Sequence, residues 1–80
     1  QYYIAELLLQ YGADTNLADD SGSTPLIYSA RNGDSKLTQL LLEHSANINH
    51  SDKDGWNSLM FALALGQCDT AEILLKSGID

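Results

Sequence analysis

Residues 19–49 read DDSGSTPLIYSARNGDSKLTQLLLEHSANIN, and this stretch decides the fold because the following part of the chain repeats it. A shift of 33 residues places Gly22 on Gly55 and Leu41 on Leu74. A fixed period of this size is the sequence signature of a solenoid, in which similar units stack in a row. The pattern therefore predicts a repeat array rather than one irregular core.

The period divides the chain into three units. Residues 1–18 are the second half of a unit, residues 19–51 a complete unit and residues 52–80 a nearly complete one. A single unit cannot bury its apolar face alone, so each unit depends on its neighbours for stability. Because the chain starts inside a unit and without Met, we interpret it as a fragment of a longer protein and expect further repeats of that protein as neighbours.

Cap and turn residues predict two short helices in the complete unit. Thr24 is expected to cap the first helix with its hydroxyl, and Pro25 to occupy the first helical position, where its missing N–H costs nothing. Gly33 is expected in the left-handed conformation just past the end of that helix. The second helix is expected to begin near Asp34 or Ser35.

Apolar residues recur on one face of each predicted helix, including a helix over residues 1–10, as is typical of amphipathic helices around a shared core. The predicted core positions are Leu26, Ala30, Leu37, Leu40, Leu41, Leu59, Ala62, Ile73 and Leu74. Ser45 stands where the other units have Gly12 and Gly78. We expect a strained left-handed cap at this serine, at a cost of roughly 1 kcal/mol.

The last unit departs from the one before it. Asn57 replaces Thr24 as the expected cap, and the spacing of Asp69 and Glu72 predicts a capping box at the start of the final helix. The short helix predicted over residues 59–65 is apolar almost all round, a pattern that indicates burial on more than one side. Either another part of the protein covers this helix or it forms a hydrophobic contact site.

With the Thr24-Pro25-Leu26 segment and the tail LLLEHSANIN of residues 40–49, the chain resembles the ankyrin repeat over all 80 residues. The resemblance implies an all-α solenoid of helix-turn-helix units with projecting β-hairpin loops. In this family a His often follows Thr-Pro-Leu and ties neighbouring loops together. Here Ile27 and Met60 hold that position, so we expect apolar packing instead of the polar tie.

Composition narrows the classes of partner and the compartment. A net charge of −7, with four scattered basic residues, argues against binding to nucleic acid or to an anionic membrane surface and leaves a basic or apolar protein open. Cys68 is the only cysteine, which excludes an intrachain disulfide and favours an intracellular protein of the cytoplasm or nucleus. No apolar run approaches the roughly 18 residues of a membrane span.

No catalytic or cofactor motif stands out. His44 and His50 have no nucleophile or carboxylate at a spacing that suggests a triad, so we interpret them as solvent-exposed turn residues. Cys68 aligns with Ser35 at a predicted helix start, where a lowered thiol pKa is conceivable. The six glycines are spread over loops and caps rather than grouped in a phosphate loop. We expect no enzyme activity, cofactor or metal in this chain.

The family resemblance implies a protein-interaction scaffold whose loop tips and first helices form a concave groove. The positions carried over are Trp56, Leu65, Lys53 and Asp54, flanked by Asp20, Ser23, Arg31 and Asn32. For Trp56 two interpretations stay open, a partner anchor or a side chain packed on an adjacent repeat. Two other functions also stay open: a non-binding structural spacer, and a targeting segment of a larger enzyme or effector.

The resemblance also suggests a modification. Members of the family are often hydroxylated on the Asn that ends the Gly-Ala-Asp-x-Asn segment, with a Leu eight residues earlier. Asn16 with Leu8, and Asn49 with Leu41, have this spacing. Both asparagines are therefore candidate hydroxylation sites.

Overall fold

The computed structural model describes residues 7, 10–12 and 14–79. Four helices lie entirely within these residues: α1 (Pro25–Asn32), α2 (Ser35–Glu43), α3 (Ser58–Ala64) and α4 (Cys68–Lys76). The helix predicted over residues 1–10 falls largely outside the described part of the chain. The all-α repeat architecture is confirmed, since α1 with α2 and α3 with α4 form two helix-turn-helix units in succession.

The two units stack with like helices side by side. Helix α1 packs against α3, and α2 packs against α4, while each helix also contacts its partner within the unit. The buried core runs through both units and consists of Leu26, Ala30, Leu40, Leu41, Ala62, Ala71 and Leu74. Because each core residue lies on a helix face that meets a neighbour, the apolar periodicity predicted most of this set correctly.

The predicted helix start near Asp34 or Ser35 and the predicted cap at Asn57 are confirmed. The Asp34 side chain accepts a hydrogen bond from Leu37 N at 3.1 Å, and the Asn57 side chain accepts one from Met60 N at 2.9 Å. Each carboxylate or amide oxygen thereby satisfies one of the free amides at the start of a helix. Ser45 has a φ of 67°, so the predicted left-handed serine is also present.

The predicted hydroxyl cap at Thr24 is wrong. Pro25 does begin α1, but the Thr24 side chain makes no capping bond and its Oγ1 is buried without a hydrogen-bond partner. The Thr24 carbonyl instead accepts the first helical bond, from Tyr28 N at 3.1 Å. The Thr24 side chain is buried. Packing against its neighbours, and not a hydrogen bond to a free amide at the helix start, therefore sets its rotamer.

The predicted capping box in the last helix is also wrong. Helix α4 begins at Cys68, so Asp69 lies inside the first turn and Gln67 holds the cap position. Gln67 N donates to Ala62 O at 2.8 Å, which places the helix start immediately after the turn that ends α3. Glu72 pairs with Lys76 at 3.6 Å, one turn further along the helix.

Hydrogen bonds join the two loops, although the family histidine is absent. Lys53 N donates to Ser21 O at 3.0 Å, and His50 Nε2 lies 2.8 Å from Gly22 O. A carbonyl oxygen only accepts, so Nε2 carries the proton in this contact. The interpretation of His50 as solvent-exposed, and the expected loss of a polar tie, are therefore wrong: a half-buried histidine from the loop supplies the tie.

Both loops close as tight turns, although the described residues contain no β-strand of the hairpins that the family resemblance implies. Asp19 N donates to Ser23 O at 3.0 Å, and Asp52 N donates to Trp56 O at 2.8 Å. The second loop also contains an isolated antiparallel bridge between Ser51 and Asn57. Each tight turn directly precedes the first helix of its unit, α1 or α3.

Candidate partner-binding groove

An ordered row of aromatic side chains crosses both units on the side of α1 and α3. The Arg31 guanidinium carbon lies 5.4 Å from the ring centroid of Tyr28 and 5.1 Å from that of Phe61. The ring centroids of Phe61 and Trp56 are 5.1 Å apart, with the planes tilted by 38°. We call Tyr28, Arg31, Phe61 and Trp56 the aromatic ridge. Cation–π and tilted ring contacts of this kind hold all four side chains in place.

Tyr28 and Phe61 were not among the residues predicted to bind a partner. They occupy the same position in successive units, which places both on the same face of the stacked first helices. The signal that could have found them is an aromatic residue recurring at the repeat period. The sequence-based prediction considered loop tips and helix ends, so Trp56 and Arg31 are the two ridge residues that it included.

Trp56 is both packed and exposed. Its ring contacts Phe61 of its own unit, while 37% of the residue remains exposed to solvent. A solvent-exposed tryptophan that is already ordered loses little side-chain entropy when a partner covers it. Trp56 therefore packs within its own unit rather than on an adjacent repeat, and its role as a partner anchor stays a prediction.

Exposed apolar residues around α3 belong to two different surfaces. Leu65 follows α3 directly and is 56% exposed. Leu63 is 62% exposed, whereas Ala30, its equivalent in the preceding unit, is fully buried by the unit that follows. Leu63 is therefore exposed at a position that is buried in the preceding unit, and Leu65 is exposed just past the end of α3.

The first loop is held together by one carboxylate. Asp19 Oδ1 accepts hydrogen bonds from Ser21 N and Ser23 N, each at 3.0 Å, and from the Ser21 hydroxyl at 2.7 Å. The Tyr28 hydroxyl donates to Asp19 Oδ2. This bond from Tyr28, with the loop bonds, holds the pKa of Asp19 well below its usual range. The same bond raises the pKa of the Tyr28 hydroxyl.

The second loop uses an equivalent carboxylate. Asp52 Oδ1 accepts from Asp54 N and from Trp56 N, both at 2.9 Å. The backbone of Trp56 is therefore anchored while its ring lies on the aromatic ridge. Since Asp19 and Asp52 organise their loops in the same way, both tips are ordered without a partner.

Seven of the eight predicted contact residues are exposed: Asp20, Arg31, Asn32, Lys53, Asp54, Trp56 and Leu65. Ser23 is only 3% exposed, and its Oγ lies 3.0 Å from the Ser21 hydroxyl. Its side chain faces into the hairpin, because the turn directs it toward Asp19 and Ser21. Ser23 is therefore left out of the surface available to a partner.

The two candidate hydroxylation residues lie in the loops between units. Asn16 Oδ1 accepts from Asn47 N at 2.6 Å, and Asn16 Nδ2 lies 3.4 Å from Ser45 O, so this side chain bridges two units. Asn49 is exposed, and its backbone N donates to the Asn47 side chain at 3.1 Å. Hydroxylation of either residue stays a prediction.

Three further features concern other kinds of site. Cys68 is exposed at the start of α4. Within the described ranges, no three His, Cys, Asp or Glu side chains group as metal ligands. None of the helices described is long and apolar enough to cross a bilayer.

The stacked helix pairs and ordered loop tips define a helical-repeat solenoid. Comparison with known families identifies which solenoid this is: the family described as "Ankyrin repeats (3 copies)" matches residues 1–80. The chain therefore belongs to the ankyrin repeat family, whose repeats are generally protein–protein interaction modules and typically not catalytic. No curated protein matched the sequence.

Proposed function

We propose that this chain is a protein-interaction scaffold whose concave groove binds a protein partner. The aromatic ridge is the observation that carries the proposal, because Tyr28 and Trp56 are exposed aromatic residues held in place by Arg31 and Phe61. Trp, Tyr and Arg are the residues most enriched among those that dominate interface energies. Rigid presentation by stacked units reduces the entropy lost on binding.

The proposed contact surface extends from the ridge to its neighbours. Leu65 adds apolar area at the end of α3, and the loop tips add Asp20, Lys53 and Asp54. Asn32 and Arg31 flank the surface on the preceding unit. Charged residues at the rim of an interface influence association rate and specificity more than affinity, so the anchors are expected in the ridge and at Leu65.

The test is binding by Trp56→Ala and Leu65→Ala variants, with Leu75→Ala as the matched control. Leu75 is 57% exposed but lies on α4 rather than in the groove. We expect each groove substitution to reduce capture of partners from cell extract on the order of tenfold, while the control captures them normally. If all three variants retain helical circular dichroism and capture the same proteins, binding through the groove is refuted.

The same experiment addresses the two alternative functions. A structural spacer predicts no protein that depends on Trp56 or Leu65 for capture. A targeting segment of a larger enzyme or effector also uses the groove, so it predicts such a protein and is distinguished by activity elsewhere in the parent chain. The ordered, partner-free aromatic surface favours a binding role over a spacer.

Three further proposals concern the surroundings of the groove. Another repeat of a longer chain would cover Leu63, because its equivalent Ala30 is buried by stacking. An intracellular location, cytoplasmic or nuclear, is supported by the single cysteine. For Asn16 and Asn49, mass spectrometry of the native protein should reveal one added oxygen atom, and unmodified peptides would exclude hydroxylation.

A further inference from the structure

We infer that the groove recognises a basic segment of its partner, with Lys or Arg side chains next to an apolar anchor. The inference rests on the proposed function, since it names the chemistry of the partner that the aromatic ridge would bind. The apolar side chain would contact Trp56 and Leu65, and the basic side chains would lie beside Asp20 and Asp54. The argument depends on which charges around the ridge remain without a counter-charge.

The loop tips form a single negatively charged rim. Lys53 N donates a hydrogen bond to Ser21 O at 3.0 Å, and this bond joins the two tips side by side. Asp20 and Asp54 are both exposed, and their carboxylates make no hydrogen bond or ion pair with any residue that the structure describes, since the bond from Asp54 uses its backbone N–H. Lys53 is the one basic residue of the two tips. The rim is therefore left with excess negative charge for a partner to neutralise.

The other carboxylates of the loops keep their charges too. Asp19 and Asp52 accept hydrogen bonds mainly from backbone amides and hydroxyls, which stabilise a carboxylate without cancelling its charge. The ion pair seen among the described residues, Lys76 with Glu72, lies on α4 and away from the groove. Because none of these loop carboxylates forms an ion pair with a described residue, a basic partner gains Coulomb attraction at the rim.

The aromatic ridge is compatible with the same partner. Its rings already accommodate a guanidinium, that of Arg31, between Tyr28 and Phe61. The groove also changes character along its length: Arg31 and Asn32 end α1, whereas Ala64 and Leu65 stand at the equivalent positions of the next unit. Basic side chains would lie toward the rim and an apolar side chain toward Leu65.

Competing partners meet the wrong charge. A nucleic acid would bring phosphates to a rim with excess carboxylates, and the whole chain carries −7. An acidic peptide would meet the same repulsion and could be attracted only by Arg31 and Lys53. Since Asp54 and Trp56 are two residues apart in one ordered loop, the charge and the anchor must be recognised by neighbouring residues of the partner.

Selection from a displayed library of random peptides tests the inference with the 80-residue chain as bait. Peptides of about nine residues span roughly 30 Å when extended, comparable to the 32 Å length of the described part. We expect the enriched peptides to carry net positive charge and an apolar residue close to a Lys or Arg. Their affinities are then measured by fluorescence anisotropy at low and high salt, since screening weakens the rim contribution.

Two double variants separate the rim from overall charge. Asp20→Asn with Asp54→Asn removes two charges from the rim, and Glu43→Gln with Asp69→Asn removes two from the outer helices. A pair of charges about 6 Å apart in water interacts enough to change affinity about threefold. The rim variant should therefore bind about tenfold more weakly and the control variant almost normally, while Trp56→Ala should lose on the order of tenfold or more.

The outcomes distinguish this inference from the proposed function. Neutral or acidic peptides that depend on Trp56 would overturn the basic partner and leave the groove as the binding surface. Basic peptides that bind Trp56→Ala normally, and respond equally to both double variants, would overturn both. A selection that enriches no peptide on a chain with helical circular dichroism would also count against both.

Discussion

Gly33 and Gly66 occupy the same place in successive units, so alanine at each position separates a backbone cost from a contact between units. Their φ angles are 70° and 71°, both left-handed. A Cβ added at Gly33 would overlap the side-chain amide of Gln67, whereas one added at Gly66 would meet nothing within 4 Å. The two substitutions therefore differ only in whether the new methyl group disturbs the neighbouring unit.

The expected losses in unfolding free energy follow from these surroundings. The left-handed backbone costs an alanine roughly 1 kcal/mol at either position. At Gly33 the methyl group must also displace Gln67, whose Nε2 donates to Arg31 O at 3.2 Å. A hydrogen bond of this kind contributes about 0.5–1.5 kcal/mol. We expect a loss of about 2 kcal/mol for Gly33→Ala and about 1 kcal/mol for Gly66→Ala.

Urea unfolding followed by far-UV circular dichroism measures both values, with equal m-values required for the comparison. Repeating both substitutions in a Gln67→Ala background completes a double-mutant cycle. The additional loss of unfolding free energy for Gly33→Ala should vanish there, because the side chain that the methyl group displaces is gone. Equal losses for the two alanine variants would refute the reasoning. An extra cost that persists without Gln67 would show that some other contact is responsible.

Three further changes are predicted from the structure. Gly22→Ala should destabilise the protein by about 1 kcal/mol more than Gly55→Ala in urea unfolding, because at equal φ values of 82° only Gly22 has the backbone of the neighbouring loop 2.9 Å from the added Cβ. Ser45→Gly should raise the unfolding free energy by ~1 kcal/mol by relieving a left-handed serine at φ 67°; an unchanged urea midpoint would contradict this. Folding lowers the pKa of Asp19, so its carboxylate adds to the free energy of unfolding at pH values above its unfolded pKa of about 4. This stabilisation is lost as pH falls toward the folded pKa. Folding raises the pKa of the Tyr28 hydroxyl, so this group adds to the free energy of unfolding below about pH 10, and the stabilisation is lost as pH rises through the folded pKa. Tyr28→Phe should weaken the pH dependence of the urea midpoint in both ranges.

Local sequence rules predicted the elements of this fold well. Helix starts at Asp34 and Asn57, the left-handed Ser45 and most of the buried core were all predicted correctly. The caps and the left-handed serine depend on interactions within about one helical turn, and the core follows from an apolar pattern that recurs in both units. The Thr24 cap failed because the burial of its side chain depends on the rest of the fold.

The candidate site was predicted only in part. Asp20 and Asp54 are exposed, as turn chemistry leads one to expect, while their part in binding a partner stays a prediction. Ser23 was misplaced because the hairpin turns its side chain inward. The ridge was incomplete without Tyr28 and Phe61, since its order depends on a contact from Arg31 to the following unit.

The sequence by itself determined the 33-residue period, the helix-turn-helix unit and the excess of negative charge. Tertiary structure alone decided how the units meet: His50 on Gly22, Gln67 beside Gly33, and Arg31 against Phe61. These contacts join residues about one repeat apart, so their geometry is set by the stacking of helices and not by local propensity. Residues 19–49 therefore predict the unit, and the stacking of the next unit on it brings the aromatic ridge together.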